Sequence, residues 1–388
     1  MLKVNKKNFF LVIFLIIILL PVKDVFGIDI DDKIIQNEKD NFGINTFIKK
    51  SKEFSGDFFD DMDLNEILNL VLKGQIDNKK IYKKTISIFG QEINQSLKSM
   101  VSILFIIVIH SILFSLSESL ENKNISKLIY YVQYILIVTI IMNDFSNIIN
   151  MIKSTIVNLV SFINLLIPIL ISLMIYTGSI TTSSILEPVI IFMINFIGNA
   201  IQDIFIPFIM IIVSLNIISK ISDRVQVYKI SKFFQSTIIW VLGIVLTIFV
   251  GVVSLEGTLG STIDGITAKT AKTIVSSAIP VVGKILGDVT DSVLGCGVVL
   301  KNAVGFIGVI IIFGICIIPI IKVFILMFIY KIIASISEVI ADSKIVLLIE
   351  QMSNIFKILL AVLTIVSTMV IIGTTLLIKM SNSSVMFR

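Results

Sequence analysis

The chain has 388 residues, of which 56% are hydrophobic and only 15% charged, and its formal net charge is +5. A soluble globular domain has about a quarter of its residues charged, so this composition excludes an ordinary soluble protein and indicates a polytopic membrane protein. The lysines are scattered along the chain and do not form a stripe with aromatic residues, which argues against nucleic-acid binding.

A secretory signal peptide is predicted at the start of the chain. Its apolar run, residues 9–20, is too short to cross a bilayer about 30 Å thick at a helical rise of about 1.5 Å per residue. Lysines precede this run, and Val25 and Gly27 follow it at a position where a peptidase could cut. We therefore expect residues 1–27 to be a cleavable signal, with an uncleaved anchor as the alternative.

Residues 28–98 are rich in charged side chains, and we expect them to form a small exported helical segment. The stretch DLNEILNLVLKG places apolar residues on one helical face before Gly74, which predicts a short amphipathic helix. The residues on that face are Leu64, Ile67, Leu68, Val71 and Leu72.

Long apolar runs follow from Ser99 onward, and each is about long enough to span a membrane once. They indicate an all-α polytopic membrane protein with about six to eight spanning or re-entrant helices. Cys296 and Cys316 lie in apolar surroundings at no metal or redox spacing, so we expect two small core residues. The runs cover residues 101–116, 128–149, 156–176, 237–255, 303–329 and 358–378.

Region 188–219 is longer than one span, and polar residues around Asn195 and Asp203 precede Pro207. It is either one long tilted helix or two half-length segments that form a re-entrant hairpin. With residues 28–98 outside, a single crossing here places the basic stretch 220–232 outside, against the positive-inside tendency. We therefore favour a hairpin or broken helix.

Four ionisable side chains lie within the apolar regions, where exposure to hydrocarbon is costly. His110 is a proton-relay candidate, although a helix-contact role is commoner for a single histidine. Asp144, Asp203 and Lys322 are candidates for lining a polar path. The alternatives are snorkelling for Lys322 and helix capping for Asp203.

The chain carries no phosphate-binding glycine loop, no paired-histidine metal motif and no nucleophile elbow. The stretch ILGDVTD has the Gly-Asp step of intramembrane aspartyl proteases, but Ile285 stands where their pattern has its first glycine. The chain also lacks their Tyr-Asp partner. We therefore expect no enzyme activity and no cofactor or metal.

The stretch TAKTAKTIVSSAIPVVGKILGD, from Thr267, interrupts the apolar runs with small, hydroxylated and charged residues. Its apolar residues recur at three- and four-residue steps from Ile274 to Val293, which predicts an amphipathic helix. Pro280 is expected to kink this helix, and Gly283 and Gly287 would allow a second helix to approach closely.

The polar side of this helix either lines a pore as a re-entrant element or lies in the membrane interface, and a surface connector is the plainer alternative. The candidate pore-lining or docking residues are Lys269, Lys272, Ser276, Pro280, Gly283, Lys284, Gly287, Asp288 and Asp291.

The sequence from about Gly251 onward resembles the stage III sporulation protein AE family of endospore-forming Firmicutes. The resemblance rests on DGITAKTAKTIVSSAIPVVGKILGDVTDSVLGCGVVLKNAVGFIGVIII, on IIPIIKVFILMFIYKI and on the closing SNSSVMFR. A signal sequence, a charged exported segment and a polytopic body also fit that family.

The resemblance implies a membrane component of the channel that joins mother cell and forespore, located in the mother-cell membrane around the forespore. It implies that the chain acts with the other stage III A-operon proteins and, directly or indirectly, with stage II sporulation protein Q. Membrane lipid is a further expected partner, nucleic acid is not, and a homo-oligomer is compatible with these expectations. The family supplies no catalytic residues.

We predict five segments along the chain, and the alternative function is a self-contained small-molecule permease. In that case Asp144, Asp203 and Lys322 would form a polar site at the membrane midplane. The segments are a signal peptide (1–27), a charged extracytoplasmic helical segment (28–98), an N-terminal transmembrane bundle (99–255), an amphipathic or re-entrant segment (256–302) and a C-terminal transmembrane pair (303–388).

Overall fold

A computed structural model describes residues 39–59, 62–72, 78–119, 123–221, 228–278 and 282–386. These ranges are helical, and none of them contains a strand, so the predicted all-α class is confirmed. The predicted signal peptide, residues 1–27, lies outside the described residues.

Within the described residues, the short helices α1 (Ile44–Phe54) and α2 (Leu64–Leu72) precede six long helical units. Each long unit contains a window that is apolar and long enough to cross a membrane, which confirms a multi-pass helical membrane protein. A 3-10 turn at Gly56–Phe59 lies between α1 and α2. The long units are α3 (Asn78–Ser119), α4 (Lys123–Tyr176), α5 (Ile180–Ala200) joined by a π-helical turn (Ile201–Phe205) to α6 (Ile206–Ile221), α7 (Tyr228–Ala278), α8 (Val282–Ser337) and α9 (Ser343–Met386).

Consecutive long units run antiparallel. The Tyr130 hydroxyl donates a hydrogen bond to the Lys220 carbonyl, so the start of α4 meets the end of α6. The Lys344 ammonium at the start of α9 lies 5.9 Å from the centre of the Tyr130 ring. These segments therefore share one end of the bundle, and the turn between α4 and α5 lies at the other.

The two spans predicted at 128–149 and 156–176 are one continuous helix, α4, so that part of the prediction is wrong. The residues between the two runs, 150–155, include neither glycine nor proline, and nothing there breaks the helix. Lys153 and Ser154 are exposed on this stretch while Ile152 and Thr155 are buried, so polarity marks a face of the helix and not an end.

Of the hairpin or broken helix favoured for region 188–219, the re-entrant hairpin is also wrong. The chain is helical from Ile180 to Ile221, and the polar stretch near Asp203 forms the π-helical turn. Pro207, which has no backbone N–H, follows that turn as the second residue of α6, where the π-helical turn already interrupts the regular α-helical hydrogen bonds. The alternative of one long helical unit is correct.

These two corrections change the expected topology. With α4 and the α5–α6 unit each crossing once, a segment outside the membrane ahead of α3 places Lys220, Lys229 and Lys232 inside. The conflict with the positive-inside tendency that had favoured the hairpin therefore disappears.

Helices α8 and α9 form the centre of the bundle, and most of their apolar side chains are buried. Glycines on α8 allow close packing, because a Cβ added at Gly308 would lie 2.6 Å from the Leu166 side chain of α4. By contrast, α3 and α7 expose large apolar side chains such as Phe105 and Trp240. Both predicted core cysteines, Cys296 and Cys316, are buried, and neither forms a disulfide within the described residues.

Helices α1 and α2 pack against the long bundle. Phe47 of α1 lies 5.9 Å from Phe162 of α4 between ring centroids, and Phe58 lies 5.9 Å from Phe313 of α8. The amphipathic pattern predicted for α2 is confirmed, since Leu64, Leu68 and Val71 are buried there.

The stretch from Thr267 is not a separate amphipathic helix. It forms the last part of α7, to Ala278, and the first part of α8, from Val282, so both neighbouring spans continue into it. The predicted kink at Pro280 lies outside the described residues. The segment boundaries at 255/256 and 302/303 remain predictions.

Candidate functional site

A group of buried polar side chains joins four segments at the end of the bundle that carries the α4–α5 turn. We call it the polar junction, and it comprises Ser179, Thr182, Asp264, Lys301 and Ser381. Asp264 comes from α7, Lys301 from α8 and Ser381 from α9. All five side chains are at most 4% exposed.

The turn at the polar junction begins with a glycine that ends α4. Gly178 has a φ of 84°, a left-handed conformation that glycine adopts without strain. Its N–H donates to the Ile175 carbonyl at 2.9 Å, and the Ser179 N–H donates to the Met174 carbonyl at 2.8 Å. This pair of bonds is a Schellman motif, so the chain reverses over very few residues and α5 starts at Ile180.

Asp264 caps the N-terminus of α5 from a different helix. Its carboxylate accepts hydrogen bonds from the backbone N–H groups of Thr181 and Thr182, both at 2.8 Å, and from the Thr182 hydroxyl at 2.7 Å. The N-cap residue itself, Ser179, makes no side-chain cap. The carboxylate therefore satisfies free helix donors and lies at the positive end of the α5 dipole.

Lys301 lies at the centre of a chain of hydroxyl groups and is fully buried. Its ammonium donates to the Ser381 hydroxyl at 2.6 Å, and that hydroxyl donates to the Ser179 hydroxyl at 3.0 Å. The Ser179 hydroxyl in turn donates to the Ser381 carbonyl at 3.2 Å. Among the described residues, no carboxylate lies within 4.0 Å of the Lys301 ammonium.

Close backbone packing surrounds the polar junction. A Cβ added at Gly260 of α7 would lie 2.7 Å from the Cα of Thr182, and one added at Gly297 of α8 would lie 2.7 Å from the Tyr176 ring. The polar junction therefore fixes α7, α8, α9 and the α4–α5 turn relative to one another. Its groups act as helix contacts, and any ligand would first have to displace these hydrogen bonds.

A second polar cluster lies inside the apolar helices and contains two of the predicted residues. The Tyr330 hydroxyl donates to one oxygen of Asp144 at 2.8 Å, and the Ser99 hydroxyl donates to the other at 3.2 Å. Lys322 forms an ion pair with Glu92 at 3.5 Å. Asp144 is thus held by α3 and α8, and Lys322 is paired with α3 while 32% of its side chain stays exposed.

Asp203, the third residue of the predicted midplane site, is exposed on the π-helical turn. No described hydrogen bond or ion pair joins it to Asp144 or Lys322.

His110 is 5% exposed, and neither of its ring nitrogens has a hydrogen-bond partner among the described residues. Its ring lies 5.6 Å from that of Phe114 between centroids. Both side chains line a cavity of about 530 Å³ near the α8–α9 turn, which also contains Lys127 and Asp342. Within the described residues, no group of three metal-ligating side chains occurs here or elsewhere.

Of the candidate residues in the stretch from Thr267, only Lys269 has a described side chain, and it is exposed near the end of α7. The side chains of the other eight lie outside the described set, namely Lys272, Ser276, Pro280, Gly283, Lys284, Gly287, Asp288 and Asp291.

Sequence reasoning missed the polar junction, including Asp264, Lys301 and Ser381, which α7, α8 and α9 contribute. Asp264 and Lys301 fall inside the segment predicted at 256–302, whose polar side is predicted to line a pore, to lie in the membrane interface or to form a surface connector. The sequence signal available for Asp264 was a single charged residue close to a glycine, Gly260, that allows helices to pack closely.

Comparison with known proteins identifies relatives of the chain. The profile of the family described as stage III sporulation protein AE matches residues 62–381. A protein of Bacillus subtilis (strain 168), stage III sporulation protein AE, is 33% identical over 273 residues, which cover 70% of this chain and 68% of the relative. No solved structure matches the chain significantly.

Proposed function

Because the chain belongs to the stage III sporulation protein AE family, we propose that it is a non-enzymatic membrane component of the channel between mother cell and forespore. The family match over residues 62–381 is the observation that carries this proposal. That range includes the first five of the six membrane-capable units in the described part of the chain and the sixth as far as Ser381, so the similarity extends over the membrane body.

A non-enzymatic role is supported by how the buried polar groups are used. The carboxylates of Asp264 and Asp144 accept hydrogen bonds from other helices, and the Lys301 ammonium donates to Ser381. These groups hold helices in place, which suits a protein whose task is assembly or conduction.

The proposed location is the mother-cell membrane that surrounds the engulfed forespore. The proposed partners are the other stage III A-operon proteins and, directly or through them, stage II sporulation protein Q. With each of the six long units crossing once, Ala278 at the end of α7 and Val282 at the start of α8 lie on the same side of the membrane as the start of α3. If that side is extracytoplasmic, these helix ends face the space between the two cells, where such partners would be met.

Deletion of the gene in the native host tests this function. We expect vegetative growth to be normal and spore formation to stop after engulfment, with full recovery when the intact chain is supplied. A transport defect during growth together with normal spores would contradict the proposal and favour the permease.

A further inference from the structure

Helix α4 carries a stripe of exposed polar side chains along its middle, at a depth where α3 also exposes polar residues such as Gln91 and Lys98. We call it the amide stripe, and at the helical rotation of about 100° per residue its members fall on one face, which also includes the exposed Val157. It runs from Asn143 to Asn164, a helical rise of about 32 Å. Its residues are Asn143, Asn147, Asn150, Lys153, Ser154 and Asn164, all of them exposed.

The amide stripe continues onto α5. The side chains of Asn164 and Asn195 exchange two hydrogen bonds at 3.1 and 3.3 Å. Next along α5, a Cβ added at Gly198 would lie 2.6 Å from the Val160 side chain, so the two helices stay in contact. Asp203 follows five residues later and is exposed, at about the depth of Lys153 on α4.

At the depth of the amide stripe, the exposed face of α7 is apolar. Helix α7 contacts the α5–α6 unit from Asp264, which binds Thr182, to Phe234, whose ring lies 5.7 Å from that of Phe208. The residues of α7 between these contacts lie level with the amide stripe. Their exposed side chains include Trp240, Ile248 and Leu255, which are 70%, 52% and 69% exposed.

The amide stripe of α4 and the exposed apolar face of α7 cannot both face lipid. The exposed face of α7 suits hydrocarbon, which sets the depth of the membrane around the amide stripe as well. At that depth a lysine or aspartate that faces lipid is strongly disfavoured, and each amide without a hydrogen-bond partner adds to this cost. The amide stripe must therefore be covered by something other than lipid.

We propose that a second copy of this chain covers the amide stripe, and that the two copies pack through it about a two-fold axis. Asparagine amides both donate and accept hydrogen bonds, so an asparagine-rich face is complementary to itself. In membranes, polar and small side chains of this kind drive helix association. A two-fold contact brings each patch against the same patch of its partner.

The charges on this face fit the same arrangement. Lys153 and Asp203 are both exposed, and within the described part of the chain no ion pair of 4.0 Å or less joins them. Across a two-fold axis, Lys153 of one copy pairs with Asp203 of the other, and this happens twice. The contact thus satisfies two charges that a single copy leaves exposed.

Thiol cross-linking of the full chain in bacterial membranes tests the contact directly. In a background with Cys296 and Cys316 replaced by alanine, we expect Asn147→Cys, Asn150→Cys and Ser154→Cys to give a covalent dimer with a short bismaleimide. Ile248→Cys, on the apolar face of α7, is the matched control and should stay monomeric.

Two results of the cross-linking would overturn the proposal. One is reaction of the stripe cysteines with a membrane-impermeant thiol reagent without any dimer, which indicates an aqueous cavity. The other is cross-linking only to a different protein.

Charge reversal provides an independent test. Two differently tagged full-length copies are co-expressed, and the fraction that purifies together is measured. Lys153→Asp or Asp203→Lys alone should lower this fraction about tenfold, and the double reversal should restore it. Equal amounts of each variant in the membrane show that folding is intact, and an unrestored double reversal contradicts the pairing. Neither test depends on the proposed sporulation role.

Discussion

Asp264 caps the N-terminus of α5 through Thr182, a residue 82 positions earlier in the chain, and both side chains are buried. A helix cap is normally local, supplied by the residue just before the helix. Here the local residue, Ser179, instead contacts Ser381 of α9. The start of α5 is thereby tied to α7 and α9 together, so the cap links tertiary packing to the α4–α5 turn.

Replacing Asp264 should destabilise the folded protein. Asp264→Ala leaves the Thr181 and Thr182 N–H groups without an acceptor in a buried site, which we expect to cost about 2–3 kcal/mol. Asp264→Asn keeps one acceptor oxygen but turns an NH2 group toward a backbone donor, so it should retain only part of the stability that Asp264→Ala loses. The measurement is the fraction of purified protein that stays monodisperse in detergent after heating.

Thr262→Ala is the control for this series, because Thr262 is exposed on the same helix and its hydroxyl bonds only the local Thr258 carbonyl. It should behave like the wild type. Equal losses for Asp264→Ala and Thr262→Ala would show that the cap adds little.

Gly260 and Gly243 on α7 should respond in opposite directions to alanine. At Gly260 the new Cβ would meet the Cα of Thr182 at 2.7 Å, and backbone cannot move aside cheaply, so we expect a loss of about 1–3 kcal/mol. At Gly243 nothing lies within 4 Å, and alanine should stabilise the helix by up to about 1 kcal/mol. The same heating assay measures both, and no loss at Gly260 would contradict the close contact.

Two substitutions of Lys301 separate the effect of its charge on stability from the effect of its side-chain volume. Lys301→Met keeps a long side chain and removes a buried charge that has no carboxylate within 4.0 Å among the described residues, so stability should be retained or rise. Ser179 and Ser381 still bond each other at 3.0 Å. Lys301→Ala should lose about 2–4 kcal/mol because it leaves a cavity. If methionine proves as harmful as alanine, the ammonium itself is needed for folding.

The long apolar runs were sufficient to predict a helical membrane protein, because a bilayer forces backbone groups to bond within each helix. Their division into spans could not be predicted from polarity alone. In α4, Lys153 and Ser154 are polar because they occupy an exposed face, although the local sequence resembles a loop between two spans. Similarly, the residues around Asp203 form a π-helical turn within a continuous unit.

The polar junction could not be predicted for a different reason. Its hydrogen bonds join residues 80 to 202 positions apart, so no local periodicity reports them. Lys301 and Asp264 each look like ordinary polar residues of an amphipathic stretch, and only the packing of α7, α8 and α9 shows that they are buried. Asp144 accepts hydrogen bonds from Ser99 and Tyr330, as expected of a carboxylate deep in an apolar run, and its role in lining a polar path stays a prediction.

Tyr330 should stabilise the bundle through its hydrogen bond to Asp144, which measures 2.8 Å. Tyr330→Phe removes the hydroxyl donor and leaves one Asp144 oxygen without this hydrogen bond, so we expect a loss of about 1–3 kcal/mol in folding stability. Tyr82→Phe, at a side chain that is 59% exposed on α3, is the control and should be neutral.

The double variant Tyr330→Phe with Asp144→Asn separates this bond from general damage to the core. If the two groups act through one hydrogen bond, the loss in the double variant is smaller than the sum of the single losses, by about 0.5–3 kcal/mol. Additive losses would mean that Tyr330 acts through its ring, which lies 5.0 Å from Phe356 between centroids, and that its hydroxyl contributes nothing. Heating in detergent measures stability, and spore counts in the native host show whether the same bond is needed for function.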